Sequence, residues 1–220
     1  MSASVASERF LLLPGTAVAP RLREAEGMIY TRDCVFCPGS VTIEGDKIKK
    51  IQSCALSELT QQEQQQYLIP GLVDVYFHGA AGYDFCDGIH VHPSVVRNTF
   101  RLFGDDRVIL ISDSMRAAGM EDGNYTLGGQ DVIVKGALAT LADGTLAGSV
   151  TNLFDCMKKA VSMGISRESA IKATTINPAR SIGLDTVVGS LETGKQADVL
   201  IVDQDLNLRS VILGGKALEE

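Results

Sequence analysis

Hydrophobic and polar positions change their spacing several times along the chain, and each change marks an element. Around Gly45 and Asp46 the pattern alternates, with Val41, Ile43, Ile48 and Ile51 set between Thr42, Glu44, Lys47 and Lys50. Period two on both sides of a two-residue turn predicts a half-buried β-hairpin on a small sheet. Residues 28–31 and 34–36 are strand-like as well, whereas the Gln-rich stretch 57–66 reads as a surface helix or loop. A turn at Pro70-Gly71 leads into an apolar strand over 72–77, which delivers His78 at its C-terminal end. Val108, Ile109, Leu110 and Ile111 form an unbroken apolar run, the pattern of a strand buried on both faces as in a parallel sheet. Helical spacing then takes over. Residues 94–102 follow Pro93 as one helix, and Val150, Leu153, Phe154, Met157, Ala160 and Val161 form the core stripe of another over 149–163. Ser166, helped by Glu168, caps a third helix that Asn177-Pro178 is expected to break. Residues 128–135 and 198–203 read as strands. The first 27 residues read as an extension with room for one strand, because the apolar run 10–13 is too short for a signal segment and ends at Pro14-Gly15.

Composition removes whole classes of function. Among 220 residues, 27 acidic against 20 basic side chains give a net charge of −7, so no basic footprint for nucleic acid or anionic lipid is expected. With 45% apolar residues the chain can build a core, yet no apolar run approaches the roughly 20 residues of a membrane span. Five scattered cysteines fit a reducing, cytoplasmic setting better than a disulfide framework. Cys34-Val-Phe-Cys37 has the spacing of a redox or metal pair, but neither a second pair nor a neighbouring His accompanies it, and strand cysteines are the alternative.

Chemistry concentrates after two of the apolar runs. Asp113 follows the 108–111 strand, and the C-terminal ends of parallel strands are where barrels present reacting groups. A helix cap is the competing reading of an Asp beside two serines. His90 and His92 stand before Pro93 and, on pattern alone, are loop residues.

The order of these segments resembles a known family. Pro70-Gly71-Leu-Val-Asp74 followed by an imidazole pair opens the barrel of the metal-dependent amidohydrolase superfamily, and residues 69–85 resemble the N-acetylglucosamine-6-phosphate deacetylases. Three further stretches carry the likeness. Asp87-Gly-Ile-His90 resembles the segment whose His contacts the sugar, Ile111-Ser-Asp113-Ser-Met-Arg-Ala-Ala-Gly119 the segment of the catalytic Asp, and Gly144-Thr-Leu146-Ala147-Gly148-Ser149 a loop closing over substrate through its backbone. Residues 177–184 and 189–200 carry motifs common to the superfamily. The resemblance therefore implies Asp113 as catalyst, His90, Leu146, Ala147 and Gly148 as substrate contacts, and His78 as a ligand of a divalent metal, zinc or iron. It also implies the reaction, hydrolysis of N-acetylglucosamine 6-phosphate to glucosamine 6-phosphate and acetate by a metal-activated water.

Two departures accompany the likeness. The superfamily pair is His-x-His, whereas Tyr76-Phe77-His78 puts a phenol, a poor ligand for a divalent metal, at the first position. A complete barrel also takes roughly 250 residues, more than the whole chain, and between His78 and Val91 there is no helix-length pattern to connect parallel strands. The expected fold is thus α/β: an incomplete amidohydrolase-type (β/α) barrel over 68–124 and 141–189, with a small β-sandwich over 28–67, 125–140 and 190–218. The middle of the barrel, with the remaining metal and phosphate ligands, is expected to be missing near Cys86-Asp87-Gly88. Two functions follow from this. One is the deacetylase; the other is a catalytically inactive remnant or assembly module that pairs as a homodimer through open barrel edges.

Overall fold

A computed structural model describes residues 22–75, 92–136 and 138–218. Tyr76, His78, His90 and the Cys86-Asp87-Gly88 stretch lie outside the described residues. The elements are β1 (Leu22–Tyr30), β2 (Phe36–Glu44), β3 (Lys47–Ser53), the short α1 (Gln61–Gln64), β4 (Tyr67–Pro70), α2 (Pro93–Phe103), β5 (Gly123–Leu127), β6 (Gln130–Lys135) and β7 (Leu138–Thr140). They continue with α3 (Leu153–Ser162), α4 (Arg167–Thr174), α5 (Ile176–Ser181), β8 (Val199–Val202), β9 (Leu208–Leu213) and β10 (Lys216–Ala217).

Seven strands form one sheet in the order β10-β9-β8-β4-β1-β2-β3. The hairpin expected around Gly45-Asp46 is β2–β3, paired antiparallel from Glu44–Lys47 to Gly39–Ser53. β4 is the seam, parallel to β1 and antiparallel to β8, and so joins segments more than a hundred residues apart. Period two sends alternate side chains to opposite faces. Ile29, Leu68 and Val199 pack on one face with Val41, Ile43, Ile48 and Leu191, while Tyr30, Ile69 and Val202 pack on the other with α2, α3 and α4. That second face carries the larger core, built on Val96 and Phe100 of α2, Cys156, Met157 and Ala160 of α3, and Ala170 and Ile171 of α4.

Several expectations are corrected by this structure. The boundary expected at residue 27 falls inside a strand: β1 begins at Leu22, in the extension that had room for one, runs on to Tyr30 and pairs with β2 along its whole length. Residues 125–134 do not join the large sheet. β5, β6 and β7 pair with one another and bury Val132, Val134 and Ala139 against Met115, Ala117 and Ala147. The apolar runs 72–75 and 108–111 are not strands of either sheet. Each is held by backbone bonds to the end of α4, Val73 N–H to Thr174 O (2.9 Å) and Leu110 N–H to Ala173 O (2.9 Å). Val108 and Leu110 are buried all the same, which is why their sequence reads as a core strand. α3 begins at Leu153 rather than near Ser149, because residues 149–151 are engaged with 113–115. Asn177 and Pro178 lie inside α5 instead of ending a helix. The break falls at Thr175 (φ −126°, ψ −86°), and Pro178 is accommodated in the first turn of α5, where a missing N–H removes no helical bond.

Candidate active site

Asp74, Ser112, Asp113 and the 146–148 loop meet where the segments following β4, leading out of α2 and leading into α3 run side by side. Gly71 sets the first segment on its course. Its N–H donates to Asp198 O (2.8 Å), and a Cβ there would lie 2.6 Å from the Asp198 Cβ, so only glycine permits this close approach to the start of β8. Three residues on, Asp74 reaches across to the 108–114 segment. Its Oδ2 accepts from both Ser112 N–H (3.3 Å) and the Ser112 hydroxyl.

The 108–114 segment is clamped from behind by α4 and α5. Asn177 Nδ2 donates to Asp105 O (2.6 Å) and Val108 O (2.8 Å), Ser169 donates to Asp105 (2.5 Å), and Lys172 pairs with Asp106 at 2.6 Å. The Lys172 ammonium, by hydrogen bond and charge, holds the Asp106 carboxyl below its ordinary range. Asp113 itself is buried, and its backbone is left-handed at φ +49°, a conformation that costs a non-glycine residue about 1 kcal/mol or more. The surroundings over-determine it. Ser149 N–H donates to Asp113 O (3.2 Å), Met115 N–H to Ser149 O (2.8 Å), Ser114 Oγ to Thr151 O (2.5 Å) and Ser114 N–H to Ser112 Oγ (3.2 Å).

These bonds bring the loop 146–148 to the Asp113 segment. Ala147 is buried and donates to Ala139 O (2.9 Å), Leu146 bridges to Thr140 and is partly exposed, and Gly148 is left-handed at φ +72°. Sequence reasoning thus placed Asp113, Leu146, Ala147 and Gly148 in segments that the structure juxtaposes. It gave no role to Ser112 or Asn177, whose hydrogen bonds cross from one segment to another and leave no periodic trace. His92, read as a loop residue, is the N-cap of α2, its Nδ1 accepting from Ser94 N–H (3.2 Å).

A cavity of about 330 Å³ opens elsewhere, between the β1–β2 turn and residues 176–195, and none of the expected site residues lines it. Its polar groups satisfy one another. Lys195 donates to Asp185 O, Ser190 Oγ (2.6 Å) and Glu192 (2.9 Å), and Arg32 pairs with Glu192 at 3.3 Å. Burial pushes the Glu192 carboxyl up, but Ser190, Lys195 and Arg32 together hold it below its usual range. This is a structural knot rather than a reactive cluster.

Among the described residues, no three His, Cys, Asp or Glu side chains gather as a group able to hold an ion, whereas catalytic zinc takes three protein ligands.

The buried Asp at the end of an apolar run and the glycine loop that faces it lie within one matched segment. The amidohydrolase family profile covers residues 85–218, which include Asp113 and the 146–148 loop, and the chain belongs to that family. Within it the chain is deacetylase-like. It is 37% identical over 131 residues to the N-acetylgalactosamine-6-phosphate deacetylase of Escherichia coli O157:H7, and 39% identical over 130 residues to the N-acetylglucosamine-6-phosphate deacetylase of Bacillus subtilis (strain 168). Each match takes in 59% of this chain but 34% and 33% of those relatives, so the matched sequence spans about a third of their length. A relative from Escherichia coli (strain K12), 37% identical over 131 residues, is covered to 78%. The crystal structure of N-acetylglucosamine-6-phosphate deacetylase from Pasteurella multocida superposes with a TM-score of 0.76 over 90% of this chain and 100% of that one, at 14% identity, which shows a shared fold. The enzyme of the same name from Mycobacterium smegmatis is 34% identical with a TM-score of 0.56, covering 61% of this chain and 36% of that one.

Proposed function

We propose that this chain carries a deacetylase site for N-acetylated amino-sugar 6-phosphates, with Asp113 as the proton-transfer group. The observation that supports it is the fixed, buried, left-handed Asp113, bonded through its backbone to the end of a loop that resembles a substrate-closing loop. Water adds to the acetyl carbonyl while the Asp113 carboxylate accepts its proton. Asp113 then returns that proton to the sugar nitrogen as the C–N bond breaks, leaving the free amine and acetate. Leu146, Ala147 and Gly148 offer backbone groups to the sugar, and His90 as sugar contact and His78 as metal ligand complete the same reading. Among the described residues, the segments 71–75 and 108–114, with the parallel bridge between Ser114 and Ser149, are read as part of a barrel rim.

A second reading, an inactive remnant of the same family, is favoured by one observation. The matched sequence spans about a third of the Escherichia coli O157:H7 and Bacillus subtilis relatives. Release of acetate from N-acetylglucosamine 6-phosphate and N-acetylgalactosamine 6-phosphate, assayed with and without added zinc or iron, separates the two. Turnover that Asp113→Asn abolishes supports the deacetylase, and its absence under all conditions supports the remnant.

A further inference from the structure

We propose that Ser112 is a positioning residue for Asp113 and that Asp74 acts through it. This rests on Asp113 being the proton-transfer group, and it assigns a task to two residues whose side chains need never touch substrate.

Ser112 is 1% exposed, and its hydroxyl is used twice: it donates to Asp74 Oδ2 and accepts from Ser114 N–H at 3.2 Å. Its own N–H donates to the same Asp74 oxygen at 3.3 Å. One hydroxyl therefore links a carboxylate on the 71–75 segment to the first amide after Asp113. A hydrogen bond to an ionised acceptor is stronger than a neutral one, and the low dielectric of a buried site strengthens it further. The residue between the two serines is the strained one. Asp113 at φ +49° would relax toward ordinary β or α backbone unless both neighbours were held, and such a relaxation would swing the carboxylate away from its present direction. On the far side, Ser149 N–H bonds Asp113 O and Ser114 Oγ bonds Thr151 O, so the turn is gripped from two segments at once. The chain of contacts runs from Asp74 to Ser112 to the Ser114 amide, and its product is the aim of Asp113.

A serine that merely stabilised its own turn would predict a different outcome from one that aims a catalytic group. Displacing a reacting group by about 1 Å costs on the order of 10²-fold in rate, so partial loss of aim is expected to cost about tenfold. Ser112→Ala should lower kcat for acetate release about tenfold with KM within about twofold of the parent, and Ser112→Thr, which keeps the hydroxyl, should restore it. Asp74→Ala should match Ser112→Ala, and the double variant should be no worse than either single one, because the two act in series.

A second readout does not need turnover. In amide hydrogen exchange, Ser112→Ala should speed the Ser149 amide about tenfold, since that amide is bonded to the Asp113 carbonyl, while the Leu110 amide, bonded to Ala173 O, stays at its parent rate. Threonine should again restore protection. If the parent shows no turnover, the deacetylase reading fails while the exchange data still decide the positioning role. An unchanged kcat in Ser112→Ala, or Ser149 and Leu110 amides that speed up together, would overturn the proposal.

Discussion

Two residues with positive φ frame the candidate site, and they respond oppositely to substitution. Asp113 carries a Cβ in a conformation that penalises one, so Asp113→Gly relieves about 1 kcal/mol of backbone strain while removing the carboxylate. Gly148 has the reverse problem. At φ +72° an added Cβ would be strained and would sit 3.3 Å from Leu127 Cδ2, so Gly148→Ala should cost about 1 kcal/mol or more. Urea denaturation of the two variants checks both signs. A stabilised Asp113→Gly would identify a residue kept for what its carboxylate does rather than for what it contributes to the fold.

At the scale of elements, the junction of α4 and α5 organises the segments that carry Asp74 and Asp113. Asn177→Ala removes both donors to Asp105 O and Val108 O and should cost about 2 kcal/mol, read as a lower urea midpoint at an unchanged slope. The β8–β9 connection makes a pH-dependent contribution. Backbone and side-chain bonds from Asn207, with the Asp205 amide and Arg209, pull the Asp203 carboxyl down to about 2. The folded state therefore binds this proton less readily than the unfolded state. The stabilisation is complete above about pH 4 and drains away as pH falls through about 2, and Asp203→Asn should flatten that part of a Tm-against-pH curve.

Elements with a strong local period were legible in the sequence: the β2–β3 hairpin, the stripe of α3, and the Ser166 cap, which accepts from Ser169 N–H at 3.0 Å. What escaped was set by tertiary partners. The run 108–111 has the composition of a buried strand, but its bond goes to the end of α4 rather than to a strand. Pro178 reads as a breaker, yet Thr175 supplies the break and leaves the proline in a permissive first turn. Asp113 and the glycine loop were legible because they lie in motifs, whereas Ser112 and Asn177 matter only through neighbours distant in the chain.

Across the whole molecule, β4 is where the two parts of the large sheet meet, and Leu68 and Ile69 at its centre are wholly buried on opposite faces. Leu68→Ala should cost about 2–5 kcal/mol, seen as a thermal shift of several degrees. The fold combines a well-packed sheet with a buried Asp113 held by neighbouring segments. Among the described residues, no helix is long and apolar enough to cross a membrane. Acetate release from N-acetylglucosamine 6-phosphate, compared between the parent and Asp113→Asn at equal folded concentration, decides whether Asp113 works as a proton carrier. Measurable turnover by the parent and a loss of roughly 10²–10⁴-fold in the variant are expected. Equal rates in the two proteins, or none above the uncatalysed background in either, would contradict that role.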